Sequence, residues 1–174
     1  MSEQNEELTK YAMPFNLLAV EEKKRYYVNV QKKYAVAADG DEYYRVWAQG
    51  EPNTFNFVSG GCDGDGTNRP LIYAGNGEYL SVCKFAPKLS SAELMFDPKT
   101  GAPMSKFLFD FIPRSKQTFV IRSLYNDKFV RFLHNAMKFA IDATSETAAA
   151  EFVLSPISML SALHENEPKV DAAK

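Results

Sequence analysis

Three residue types that carry much of protein chemistry are scarce here. The 174-residue chain has two histidines, two cysteines and one tryptophan. Cys62 and Cys83 are too few for a disulfide scaffold, or for a zinc site made of thiolates from this chain alone. No run approaches the roughly 18 consecutive apolar residues of a membrane-spanning helix. The opening MSEQNEELTKYAMP has neither a basic n-region nor an apolar h-region. The expectation is a cytoplasmic chain with free thiols, secreted only if a signal has been removed. A strong excess of one charge is missing too. Twenty basic and 22 acidic residues leave a formal net charge of −2. Such a balance creates no field that gathers nucleic acid or an anionic bilayer, so neither is expected as a partner.

Aromatic residues are what the chain has in quantity: 13 Phe and nine Tyr. They stand in short alternating runs with β-branched neighbours, bounded by Gly, Pro, Asn and Asp, which is a strand signature. The runs are FNLLAV (15–20), RYYVNV (25–30), YRVWA (44–48), TFNFV (54–58), PLIYA (70–74), EYLSVC (78–83), KFLFDFI (106–112), TFVIRS (118–123), KFVRFL (128–133), KFAIDA (138–143) and EFVL (151–154). Strands of about five residues at this spacing predict an all-β domain. The length and a 45% hydrophobic composition suit one domain, expected over 14–160, between disordered tails at 1–13 and 161–174.

The runs repeat. Tyr27-Val28-Asn29-Val30 matches Tyr79-Leu80-Ser81-Val82 and then Phe129-Val130-Arg131-Phe132, at spacings of 52 and 50 residues. Phe15 and Leu17, Pro70 and Ile72, and Phe119 and Ile121 match in the preceding strands. Further on, Tyr44, Val46 and Ala48 correspond to Phe139, Ile141 and Ala143, while Leu94 and Phe96 lead to Phe107, Phe109 and Phe111 in the middle unit. Three units (about 14–60, 69–113 and 117–157) of four strands each resemble a β-trefoil, with a β-sandwich as the alternative. In such a fold six strands close a barrel and six form hairpins that cap it, which removes sheet edges. Parity predicts Val28, Val30, Leu80, Val82, Val130 and Phe132 inward, with Asn29, Ser81 and Arg131 toward water. Among trefoils, DKFVRF…IDA…EFVL resembles fascin-like repeats. Ricin-type lectins carry Gln-x-Trp in each unit, and that triplet does not occur here.

Candidate chemistry is thin. Of the histidines, His164 lies in the expected tail and His134 at a hairpin, and nothing sets either cysteine beside them, so no nucleophile–base constellation is expected. In GGCDGDGTNRP, Asp63 and Asp65 resemble the start of a calcium loop. Thr67, Asn68 and Ala74 then fail at positions five, six and twelve, leaving a weak metal candidate at best. Asp110 alternates with Phe109 and Phe111 and is expected to face outward without a special partner. Trp47 has the opposite parity to Val46, and its third-unit counterpart by alignment is Asp142, which places the indole on the outer surface. An exposed indole near polar groups grips a sugar face or anchors a protein interface.

The expected function is therefore a binding module without catalysis or cofactor, its ligand a glycan or a protein. Trp47, Tyr43, Arg45, Gln49 and Asn53 are the candidate site. The fascin-like resemblance implies, as the alternative to glycan binding, an actin- or other protein-binding role. Protease inhibition comes third.

Overall fold

A computed structural model describes residues 14–36, 42–48, 52–62, 68–83 and 87–157, with the main chain alone over 31–36, 42–45 and 61–62. The two expected tails, apart from Pro14 and Ile157 at their edges, lie outside the described residues. The fold is all-β. Its strands are β1 (Phe15–Glu21), β2 (Lys24–Val36), β3 (Glu42–Ala48), β4 (Asn56–Cys62), β5 (Asn68–Gly75), β6 (Glu78–Cys83), β7 (Lys88–Glu93), β8 (Phe109–Pro113), β9 (Phe119–Ser123), β10 (Phe129–Leu133), β11 (Lys138–Ala143) and β12 (Glu151–Pro156). Single 3-10 turns at Ser105–Phe107, His134–Ala136 and Glu146–Ala148 complete the described elements.

All strands belong to one antiparallel sheet, in the order β11-β10-β9-β12-β1-β2-β3-β7-β6-β5-β4, with β8 on β9 and a further pairing of β11 with β7. Beyond this order, Phe15 and Phe55 exchange backbone hydrogen bonds of 2.9 and 2.8 Å, which brings the start of β4 to β1. β8 lies against β5. The hairpin turns suit the strands' twist. Asn76 and Gly77, joining β5 to β6, and Glu22 and Lys23, joining β1 to β2, all have positive φ, the geometry of the two-residue turns that favour Asn-Gly.

The core forms where alternation predicts it. Val28, Leu80 and Val130 are fully buried, as are Phe15, Leu17, Phe109, Phe111, Phe139 and Phe152. Val30 and Phe132 are partly buried and pack on the same cluster as Val82. A second cluster gathers Leu71, Ala92, Phe107 and Leu108, because the 3-10 turn at Ser105–Phe107 breaks the expected run at 106–112 and carries Phe107 out of the strand.

Four expectations are corrected. The middle unit's third strand is β7, KLSSAE, before Leu94 and Phe96 rather than at them. With serines in place of aromatic or β-branched residues, it carries little strand signal. Ser81 is 1% exposed instead of facing water. Its hydroxyl meets that of Ser90 at 3.3 Å, so this buried polar pair satisfies itself. Asp110 has two partners. Its carboxylate accepts from Arg69 Nε and Arg122 Nη2, both at 2.7 Å, tying β8 to β5 and β9. The β3 alignment shifts by two residues: Val46 opposes Val30 as Phe139 opposes Phe132, which matches Val46 with Phe139 and Trp47 with Ala140 rather than Asp142. Parity is unchanged by an even shift, so Trp47 stays on the side opposite Val46, but its counterpart there is the buried Ala140 instead of an exposed acid.

Candidate functional site

Trp47 lies on β3 between two buried neighbours, Val46 and Ala48, whose side chains point the other way. It is half-buried rather than freely exposed. Lys138 contributes to its cover: its Nζ stands 4.7 Å from the centroid of the indole ring, within the range of a cation–π contact. Asn29 faces Trp47 across the β2–β3 ladder. Tyr43 and Arg45 belong to the same strand, their main chains paired with Ala35 and Ser90. Gln49 lies outside the described residues. Asn53 has a different task. Its amide donates to the carbonyls of Thr54 and Ala74, and its own carbonyl accepts from Asn16, which ties the β4 approach to β1 and β5.

The surroundings of Trp47 are made by three strands from distant parts of the chain. β7 pairs with β3 through Tyr44–Ser91 and Arg45–Ser90, and with β11 through Lys88–Ala140. Backbone bonds reinforce the junction: Ala48 donates to the Met137 carbonyl at 2.7 Å, and Ile141 to the Pro87 carbonyl at 2.9 Å. At its centre is a small cleft lined by Val46, Leu89, Phe139, Lys88 and Lys138, with about 220 Å3 of empty space including its open mouth. Only about 10 Å3 of that space is open to the centre of a water-sized sphere, so the cleft holds about one water molecule. Lys88 and Lys138 were not among the residues expected from sequence. Their signal was available: each directly precedes an apolar ladder residue, as Arg45 precedes Val46.

Other groups are less open to a ligand. Among the described residues no cluster of His, Cys, Asp and Glu could hold a metal ion, and Asp63 and Asp65 lie outside those residues. His134 is exposed, with Nδ1 2.8 Å from Glu21 Oε2 and its ring edge-on to Tyr26 and Phe132. Glu78 is the one described carboxyl held near neutrality. Burial, and then the charge of Glu93, raise its pKa from 4.5 to about 7. A carboxyl poised in this way is useful for acid–base catalysis only where substrate reaches it. Glu78 is 3% exposed, which closes it to substrate. Compared with protein-family models and with curated proteins, the chain matches none.

Proposed function

We propose that the chain is a β-trefoil acting as a non-catalytic binding module, and that it takes a glycan on the outer face where β3, β7 and β11 meet. The trefoil reading is supported by pairings that return to their start. β1 pairs with β12, β12 with β9, β9 with β8 and β5 with β4, while β8 lies on β5 and the Phe15–Phe55 bridge joins β4 to β1. Three hairpins remain, β2–β3, β6–β7 and β10–β11, one per repeat. Aligned by their ladders, they match Val46 with Leu89 and Phe139. On that alignment the backbone contacts Tyr44–Ser91, Pro87–Ile141 and Met137–Ala48 are one contact made three times, each unit against the next. A single cyclic rule for three separate contacts is what a pseudo-three-fold axis produces.

The observation that carries the binding reading is Trp47 itself. At the two matching positions stand Ser90 and Ala140, both small and buried. Only the first unit places a large aromatic there, beside a cleft and an ammonium group. Indole edges and faces grip sugar rings through C–H contacts, while charged neighbours hold hydroxyl or acidic substituents. A glycan screen with wild type and Trp47→Ala tests this. A bound glycan whose affinity falls by about 2 kcal/mol or more in the variant supports the reading. Binding that is unaffected, or no glycan bound at all, overturns it.

A protein partner of the fascin kind is the second reading. It is favoured by Met95 and Phe96, which are 42% and 55% exposed on the loop that follows β7, since adjacent exposed apolar side chains are common at protein interfaces. Actin co-sedimentation with wild type and Phe96→Ser separates it from the first.

A further inference from the structure

We propose that the β5–β6 turn is a covalent modification site, at which Asn76 deamidates through the Gly77 nitrogen while the Tyr73 hydroxyl holds the rate down.

Asn76-Gly77 is the one Asn-Gly pair in the chain. Asparagine is among the chemically labile residues, and a following glycine leaves the next amide nitrogen unhindered, because no Cβ stands beside it. Both residues are exposed, with φ of 55° and 78°, and Gly75 and Glu78 close the turn as ladder partners. Nothing lies within 4 Å of where a Cβ on Gly77 would stand, so the space beside the turn is open. Solvent therefore reaches both reacting groups.

In the reaction the Gly77 nitrogen, its proton lost to hydroxide, attacks the side-chain carbonyl carbon of Asn76. The new C–N bond closes a succinimide ring as the bond to the side-chain nitrogen breaks, and that nitrogen leaves as ammonia with a proton from water. Water then opens the ring at one of its two carbonyls. One opening gives an aspartyl residue at position 76. The other gives an isoaspartyl link, in which the main chain runs through the former side chain. The balance is one water in and one ammonia out, with no oxidant or reductant.

Tyr73 opposes the first step. The Gly77 N–H donates to Tyr73 Oη at 3.0 Å. Attack requires that proton to leave, and a neutral phenol oxygen accepts a hydrogen bond but is too weak a base to take the proton. The bond thus favours the unreactive amide, and it resists rotation of the Gly77 peptide toward Asn76. Tyr79, the cross-strand partner of Tyr73, steadies the phenol, with 5.2 Å between the ring centroids.

The two products differ in consequence. Asp-Gly suits the same turn as Asn-Gly, so the aspartyl form keeps the hairpin. The isoaspartyl form adds a methylene to the main chain of a two-residue turn and removes the Gly75–Glu78 closure. Because the next residue is Glu78, 3% exposed, the damage reaches a buried position.

The test ages the full chain in mildly alkaline buffer beside a synthetic peptide of residues 70–83, with products located by peptide mapping and mass spectrometry. Folded wild type is expected to convert at Asn76 before any other described asparagine, to both products, and more slowly than the peptide. Tyr73→Phe keeps the ring and removes the acceptor, so conversion at Asn76 should be about three- to tenfold faster, with the other asparagines unchanged. Equal rates in wild type and Tyr73→Phe overturn the proposal, as does a folded chain still intact at Asn76 when the peptide is fully converted. Acceleration at every asparagine in Tyr73→Phe would mean general loosening and would remove the role of Tyr73. The isolated isoaspartyl protein should melt below Asn76→Asp, and equal melting would overturn the loss of the turn.

Discussion

Glu78 and Glu93 are partners in the β6–β7 ladder, so two carboxyls share one rung and one face of the sheet. Glu93 is exposed, whereas Glu78 is buried with its Oε2 lacking a hydrogen-bond partner. An ionised carboxylate in that position is costly, first because it has lost its water and second because a like charge stands opposite. This is why the group holds its proton until the pH reaches about 7.

The consequence is a stability profile that declines with rising pH. Glu78 keeps its proton in the folded chain up to about 7, against an ordinary value of 4.5. Its contribution is therefore fully present below about pH 4.5 and is lost as the pH rises through 7, a change of about 3 kcal/mol at most. Urea unfolding between pH 4 and 8 measures it. Glu78→Gln should remove the decline and exceed wild type in stability at pH 8. A variant whose profile parallels wild type would refute this account. Asp142 acts with the opposite sign, since the Arg131 hydrogen bond lowers its pKa and its support disappears in acid. With the pair 43% and 47% exposed, solvent screening keeps that term small.

Asp110 should be far more sensitive than its alternating position suggests. Its side chain is 13% exposed and accepts from Arg69 and Arg122 at 2.7 Å each. Asp110→Ala leaves the Arg69 guanidinium, 14% exposed, without this counter-charge. Breaking a buried pair from one side costs about 3–5 kcal/mol. Thermal melts should show a large loss for Asp110→Ala and a smaller one for Arg122→Ala, because Arg122 is 37% exposed. Equal, slight losses in both variants would mean that the cluster contributes little.

The repeat makes a prediction about three residues at once. Val28, Leu80 and Val130 are at most 1% exposed and oppose Ala48, Ser91 and Ile141 in their hairpins. Asp at any of them buries an unpaired charge, at a cost of several kcal/mol. All three variants should fail to fold cooperatively by circular dichroism. If all three melt close to wild type, the equivalence of the positions is wrong.

Lys138 should act as a cover for the only tryptophan. With its ammonium 4.7 Å from the ring centroid, one indole face is shielded. Lys138→Ala should raise the rate of acrylamide quenching of Trp47 while the melting temperature moves by only a few degrees, since an exposed-face cation–π contact contributes about 0.5–1 kcal/mol. Unchanged quenching would place the shield elsewhere.

Much of the architecture was legible before folding was considered, because burial in a sheet has a period of two. Val28, Val30, Leu80, Val82, Val130 and Phe132 declare their inward face by alternation, and their recurrence near every 50 residues declares the three hairpins. Parity did set Trp47 on the side opposite Val46 and Ala48, but not its exposure: its counterparts Ser90 and Ala140 are buried and the indole is half-buried. Legibility ended where a residue's environment depends on strands distant in sequence. Ser81 looks like a water-facing serine until β7 brings Ser90 against it. Asp110 looks unpartnered until β5 delivers Arg69 from 41 residues away and β9 delivers Arg122. β7 was invisible because a strand made of serines is held by its neighbours rather than by its own propensity. The alternation of apolar side chains thus determined which faces are buried, since that depends only on local backbone geometry. The meeting of Lys138 with Trp47, of Lys88 with Ala140, and of the cleft between them was decided by tertiary structure, because long-range register alone sets which units touch.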